Sequence, residues 1–202
     1  MITSGNYVDR IIQNLSILKH EIEIKSRLGL NDINKPCEDL IKEILNRVYD
    51  LKLVNLTKEN ISFPGIDLGD SESGVAYQIT STRKKDKIEK TLEQCIHHQL
   101  YLTYNEIRVF LLNDKKESYK LKIKTLPYFV FDPSIHIIDF DSLFKEIHSL
   151  DVIMKEELCL FIERELPYAI SPPTNGHELR PNDRTKIEEK HQALWYSIGN
   201  GS

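Results

Sequence analysis

Residues 63–82 read FPGIDLGDSESGVAYQITST, and the rest of the fold is arranged around this stretch. Pro64-Gly65 is typical of a turn that leads into a strand. Two short apolar runs follow, at 66–68 and 75–80, and the polar residues 69–74 between them predict a hairpin loop. Strands joined by so short a loop pair antiparallel. We therefore expect an antiparallel pair of strands at the centre of the fold.

A carboxylate and an amide share one face of this hairpin. Asp67 stands between two large apolar residues, so on a strand it points away from the face that they use. In the second strand, Gln78 and Thr80 lie on one face and the large apolar side chains on the other. Antiparallel pairing then allows Asp67 and Gln78 to meet. A half-buried Asp is costly without partners, which favours a metal ligand over a structural carboxylate. Gln78 can equally satisfy a backbone group, Thr80 is a common strand former, and Asp70 fits a turn former.

The surrounding elements follow from apolar periodicity. Amphipathic spacing predicts helices over residues 7–30, 36–49, 87–100, 142–149 and 153–166. Short apolar runs predict further strands at residues 107–112, 121–123, 128–131 and 135–140. Asp141 fits as the N-cap of one helix, and Pro167 is expected to end the last one. These elements predict an α/β fold with a mixed central sheet flanked by helices, an N-terminal helix and C-terminal helices.

Composition narrows the class of protein. The net charge of −4 gives no global basic signature, so nucleic-acid contact requires a local patch. Three cysteines without metal-binding spacing argue against a zinc site and for a reducing compartment. No Gly-rich phosphate loop or Gly-x-Ser-x-Gly motif occurs, which argues against a P-loop ATPase and a serine hydrolase. We expect a cytoplasmic protein without a membrane partner, with one domain over residues 1–170 and a linker and helical tail over 171–202.

The order helix, strand, strand, basic segment, helix, strand resembles the PD-(D/E)xK, or restriction-endonuclease-like, superfamily. There an acid ends one strand, an acid-x-Lys triplet lies on the next, and another acid often comes from the preceding helix. The resemblance implies that Asp67 is the first acid and Glu38 the helix acid. Gln78-Ile79-Thr80 then stands where acid-x-Lys is expected. Gln78 offers a neutral carbonyl oxygen, and Thr80 cannot supply the charge of the lysine. Glu38 is equally explained as a carboxylate that complements a helix dipole.

The missing lysine has candidates further along the chain. Divergent members of the superfamily place it on the following helix, which nominates Lys87, with Lys84 and Lys85 as competitors. Arg83, Lys84 and Lys85 follow the strand of Gln78 and, with Thr80, are candidates for nucleic-acid contact. Such a basic run is more commonly an ordinary solvated surface.

A closer resemblance covers residues 7–166 and depends on several motifs in order. They are CEDLIKEILNRVYDLKLVNLT at 37–57, FPGIDLGD at 63–70, AYQITST at 76–82 and KIEKTL at 87–92. On these motifs the chain is identified as a member of the SMEK domain family, which occurs in bacterial proteins linked to anti-phage and conflict systems. Gln-x-Thr is the usual form in that family.

The resemblance implies a Mg²⁺- or Mn²⁺-dependent nuclease-like effector in bacterial defence. It would cleave phosphodiester bonds, with DNA as the leading substrate and the choice between DNA and RNA left open. Asp67, Gln78 and Glu38 are the implied metal ligands, and Lys87 is the implied cation that stabilises charge or positions water. The alternative is a catalytically inactive module for nucleic-acid or protein binding and oligomerisation. A homo-oligomer and partner defence proteins are compatible with either hypothesis, and the oligomeric state stays open.

Overall fold

The computed structural model describes residues 2–29, 34–56 and 63–170. Within these ranges the chain forms six helices and a five-stranded mixed sheet. The helices are α1 (Ile2–Arg27), α2 (Asn34–Tyr49), α3 (Lys85–His97), α4 (Pro133–His136), α5 (Phe140–Ser149) and α6 (Val152–Ile170). The strands are β1 (Val54–Asn55), β2 (Leu68–Asp70), β3 (Val75–Thr80), β4 (Glu106–Leu111) and β5 (Ile137–Ile138). The predicted α/β class, with its N-terminal and C-terminal helices, is confirmed.

The sheet has the order β1-β2-β3-β4-β5. The first two pairings are antiparallel and the last two are parallel. β3 therefore lies at the centre, where an antiparallel hairpin meets a parallel crossover through α3. A crossover of this kind needs a connection long enough to return to the same end of the sheet, and α3 supplies it.

The two faces of β3 belong to two hydrophobic cores. Val75, Tyr77 and Ile79 join the buried residues of α1, α2, α5 and α6. Ala76 faces the other core, which α3 and β4 complete. The alternation is the one that the sequence predicted, because neighbouring strand residues point to opposite faces. Gln78 shares the face of Ala76, so the candidate site lies on the side of the sheet that α3 covers.

β2 begins two residues later than the sequence predicts. Its first residue is Leu68, and Asp67 precedes it. The backbone of Asp67 still pairs, because its N–H donates to the carbonyl of Tyr77 at 2.9 Å and its carbonyl accepts from Leu56 at 2.9 Å. Gly65 adopts a φ of 79°, which L-residues with a Cβ rarely adopt, and the chain bends there before it enters β2.

Several predictions for the second half of the chain are wrong. Residues 121–123 and 128–131 form no strand, and the backbone N–H of Lys122 donates instead to the side chain of Glu89 at 2.5 Å. The strand expected at 135–140 shortens to Ile137–Ile138. Asp139, and not Asp141, is the N-cap of α5, since its side chain accepts the N–H of Ser142 at 3.0 Å.

Helix ends also differ from the predictions. α1 begins at Ile2 rather than at residue 7, and α3 ends at His97, before Gln99 takes a φ of 54°. α6 continues through Pro167 to Ile170 instead of ending at the proline. The tail predicted over residues 171–202 lies outside the described residues. In the part of the chain that the structure describes, no helix combines the length and the apolarity that crossing a membrane requires.

Candidate active site

Asp67 occupies the turn of chain that leads into β2, and its carboxylate bonds to β3. Oδ2 accepts the backbone N–H of Ile79 at 2.7 Å and also the amide Nε2 of Gln78. Both bonds end on the same oxygen, so neither uses Oδ1. Burial raises the pKa of Asp67 above its ordinary value, although the Ile79 N–H and the charge of Lys87 act in the opposite direction. The carboxylate therefore lies in a partly desolvated position, where a further cation favours its ionised form.

Gln78 connects this carboxylate to α3. Its side chain is only 6% exposed. Besides Asp67, its Nε2 donates to the carbonyl of Ile79 at 3.0 Å. Its Oε1 accepts from Lys87 Nζ at 3.4 Å and from Thr91 Oγ1 at 3.5 Å. The amide nitrogen thus faces Asp67 and the amide oxygen faces the helix, and a half-turn of the amide exchanges the two.

Lys87 is the lysine that reaches the site. It lies in the first turn of α3, where its backbone N–H bonds to the carbonyl of Lys84 at 3.1 Å. Ile88 and Leu92 of the same helix are fully buried against the sheet, which fixes the rotation of α3. Lys87 and Thr91 are four residues apart and so lie one turn above the other on that helix. Asp67, Gln78 and Lys87 therefore come together from three separate elements.

Two residues of the site were not predicted. Thr91 is 2% exposed and contacts Gln78 from α3. Gly65 lies so close to α3 that a Cβ there would be 2.8 Å from the Cβ of Gln94 and 3.2 Å from the carbonyl of Thr91. For Thr91 the signal in the sequence is a polar residue on the apolar face of a helix, and for Gly65 it is the Pro64-Gly65 pair. Neither signal says which helix the hairpin meets.

The comparison with protein families matches the SMEK domain to residues 10–148, well over half of the chain. The chain belongs to the SMEK domain family. The match includes the hairpin, α3 and β4, so the Asp67–Gln78–Lys87 cluster is part of the SMEK domain. No curated protein and no solved structure matches the chain.

The other predicted site residues of this SMEK domain lie on α2, at the end of β3 and in the segment that leads from β3 into α3. Glu38 is half-buried on α2, whose apolar side chains pack on the opposite face of the sheet, so its role as a ligand stays a prediction. Thr80 ends β3, and its Oγ1 accepts the N–H of Thr82 at 3.1 Å. Arg83 and Lys84 are exposed. Contact of nucleic acid with Thr80, Arg83, Lys84 and Lys85 also stays a prediction.

The donor set of the SMEK domain can be tested against a divalent ion. Asp67 and Gln78 offer a carboxylate and an amide oxygen, which are hard oxygen ligands of the kind that Mg²⁺ and Mn²⁺ accept. Mg²⁺ commonly binds through one or two carboxylates and completes its shell with water and substrate phosphates. The residues present therefore fit an ion that the substrate helps to bind. For Gln78 to act as a ligand beside Asp67, its amide has to make the half-turn described above.

Proposed function

We propose that this SMEK domain hydrolyses phosphodiester bonds of DNA with Mg²⁺ or Mn²⁺, as a nuclease-like effector of bacterial anti-phage defence. The observation that carries the proposal is the contact of Lys87 Nζ with an amide that is hydrogen-bonded to Asp67. It supports the arrangement of the PD-(D/E)xK superfamily in the variant that draws its lysine from the following helix. The defence role is supported by the resemblance of the sequence motifs alone.

The residues of the cluster have separate tasks in this proposal. Asp67 would bind the metal through Oδ1, and Gln78 would be a second ligand. Glu38, the third predicted ligand, would have to reach the ion from α2, which packs on the other face of the sheet. A bound ion would supply a Lewis acid for the scissile phosphate and would lower the pKa of a water molecule. The ammonium group of Lys87 stabilises the negative charge that develops on the phosphate or orients the attacking water. The partial burial of Asp67 strengthens these charge interactions, because the local dielectric is below that of water.

Plasmid cleavage tests the proposal. Supercoiled DNA is incubated with the 202-residue chain in Mg²⁺, in Mn²⁺ and in EDTA, and nicked product is measured over time. We expect metal-dependent nicking that falls by roughly 10²-fold or more in Asp67→Asn and in Lys87→Met. Asp86→Asn and Lys90→Met are the matched controls, since both residues are exposed on α3, and they should keep the wild-type rate. Cleavage by Asp67→Asn at the wild-type rate would remove Asp67 from the mechanism.

The cluster has few charged side chains, which favours a second function, that of an inactive binding module. Among the contacts described for Gln78 and Lys87, Asp67 is the one carboxylate, and Gln78 is neutral. An inactive module that binds nucleic acid or partner defence proteins, or that oligomerises, needs no second acid. DNA binding that persists in EDTA, with no nicking in either metal, would favour this module. Light scattering on the same sample would then measure its oligomeric state.

A further inference from the structure

A polar cavity of about 260 Å³ lies at the carboxyl ends of β3 and β4. Its walls come from the last turns of α1, the loop that follows β3 and the loop that follows β4. The carboxyl ends of parallel strands are where open α/β sheets most often bind ligands. This cavity therefore has the location of a ligand site, although none of the Asp67–Gln78–Lys87 cluster lines it.

The charges around the cavity leave two guanidinium groups available. Lys19 and Asp114 line it and form an ion pair with each other. Arg27, from α1, and Arg83, from the loop after β3, have no ion-pair partner in residues 2–29, 34–56 and 63–170. The remaining charged residue, Glu23, is exposed. Two arginines from distant parts of the chain therefore face one space.

The guanidinium groups of Arg27 and Arg83 favour an anion as the ligand of the cavity. A guanidinium group presents paired N–H donors that match the oxygens of a phosphate, and it is more weakly hydrated than an ammonium group. Ser26 adds a hydroxyl to the lining. Asn113, from the loop after β4, donates through Nδ2 to the carbonyl of Ser81 at 2.7 Å and so fixes the two loops against each other. This hydrogen bond preorganises the loop that contains Arg83.

The cavity and the candidate active site are both linked to β3, since Gln78 lies on this strand and Arg83 in the loop after it. Gln78 and Arg83 are five residues apart in sequence, so their Cα atoms are at most about 18 Å apart. One strand of B-DNA carries a phosphate about every 3.4 Å along the helix axis, so this is the span of about five nucleotides. A strand with one phosphate at the Asp67 cluster can therefore place another phosphate, up to about five nucleotides away, at the cavity.

We propose that this cavity binds a phosphate group of the nucleic-acid strand on which the candidate active site acts, with Arg27 and Arg83 as its ligands. The identity of the strand as substrate rests on the proposed function. The proposal adds Arg27 and Ser26 of α1 to the nucleic-acid surface, and neither residue is part of the basic run at 83–85. A phosphorylated small molecule has the same anionic group, so the experiment separates the two sources.

Fluorescence anisotropy of a labelled 30-base-pair duplex in EDTA measures binding without cleavage. The dissociation constant of the 202-residue chain is determined over a series of salt concentrations for wild type, Arg27→Gln and Arg83→Gln. Each substitution should weaken binding several-fold and reduce the slope of log K against log salt by about 1, because one phosphate contact is lost. Arg164→Gln, an exposed arginine on α6, is the control and should leave the slope unchanged. Wild-type slopes in both cavity variants would overturn the proposal.

Competition separates the two sources of phosphate. We expect inorganic phosphate and a 5′-mononucleotide to displace the duplex far less effectively than unlabelled duplex does. A mononucleotide that binds in an Arg27-dependent manner, while duplex affinity is equal in wild type and Arg27→Gln, would overturn the nucleic-acid assignment. The failure of the proposed function would look different. If plasmid nicking did not depend on Asp67 but the salt slopes still fell in the cavity variants, the proposed catalytic site would be wrong and the phosphate site in the cavity would stand.

Discussion

Among single residues, Asp67 explains both the start of β2 and the geometry of the site. Its carboxylate takes the backbone N–H of Ile79 at 2.7 Å, a donor that a longer β2 would otherwise pair. The same oxygen accepts the amide of Gln78. The side chain of Asp67 thus both stabilises the backbone of β3 and forms part of the candidate site. Substitution by Asn keeps an acceptor for Ile79 and removes the charge, which makes Asp67→Asn more informative than Asp67→Ala.

Asp70, three residues further on, stabilises the hairpin in a pH-dependent manner. Its carboxylate accepts the backbone N–H groups of Lys52 at 2.8 Å, Glu72 at 3.0 Å and Ser73 at 3.2 Å. The bond from Lys52 is the largest cause that lowers the pKa of Asp70 below its ordinary value. A carboxyl group whose pKa is lowered by folding stabilises the protein above its unfolded pKa of about 3.9 and loses that effect as pH falls through the folded pKa.

We therefore predict that Asp70→Asn lowers the free energy of unfolding by about 1–2 kcal/mol at pH 7, since it weakens hydrogen bonds to a charged acceptor. The difference from wild type should shrink as the pH falls below about 4. Urea unfolding at pH 7 and at pH 3 measures it, with the exposed Asp86→Asn as control. A difference that is equally large at both pH values would contradict this role of the ionised carboxylate.

At the scale of elements, β2 depends on a close approach to the segment before β4. A Cβ at Gly69 would lie 2.7 Å from Cζ of Tyr104, whose side chain is buried. The aromatic ring therefore packs directly on the backbone of β2. Any side chain at position 69 has to move either the ring or the strand that leads away from Asp67.

Gly69→Ala should accordingly lower the free energy of unfolding by about 1–3 kcal/mol, the usual cost of overpacking. Gly5→Ala is the matched control, because Gly5 is exposed within α1 and a Cβ there meets nothing within 4 Å. It should raise stability by about 0.5–1 kcal/mol through helix propensity. Chemical denaturation of both variants compares them, and equal shifts in the same direction would refute the packing argument.

The sequence was sufficient for the elements whose signals are local. The hairpin and β3 follow from alternation and turn residues, and their antiparallel register brings Asp67 opposite Gln78 as predicted. α2 follows from its apolar stripe and ends at Tyr49, as expected. Lys87 was nominated through the family resemblance, and α3 places it in contact with Gln78.

Elements determined by tertiary contacts were not predictable in the same way. Asp139 and Asp141 are both plausible caps, and the choice falls on Asp139, which starts the helix at Phe140 and packs that ring 5.4 Å from Phe110. Pro167 does not end α6, because Ala169 in the next turn is still buried and Lys25 donates to the carbonyl of Ile170 at 2.8 Å. These partners lie far away in sequence, so no local pattern contains them.

At the scale of the whole molecule, the sheet separates a helical core on one face from the α3 side that contains the candidate site. The cavity of Arg27 and Arg83 opens at the carboxyl end of the same central strands. Thr91 and Gly65 could not be assigned to the site from sequence, since their contacts require α3 to be placed against the hairpin. β3 and the loop after it therefore connect the carboxylate, amide and lysine of the candidate site with the arginines of the cavity.

Asp67 and Gln78 are proposed to bind a divalent ion together, and electron paramagnetic resonance of Mn²⁺ measures that binding independently of cleavage. Titration of the 202-residue chain should show a bound ion in wild type, loss of binding in Asp67→Asn and tighter binding in Gln78→Glu, which adds a second carboxylate. Asp86→Asn should bind as wild type does. Equal Mn²⁺ binding in wild type, Asp67→Asn and Gln78→Glu would contradict the account.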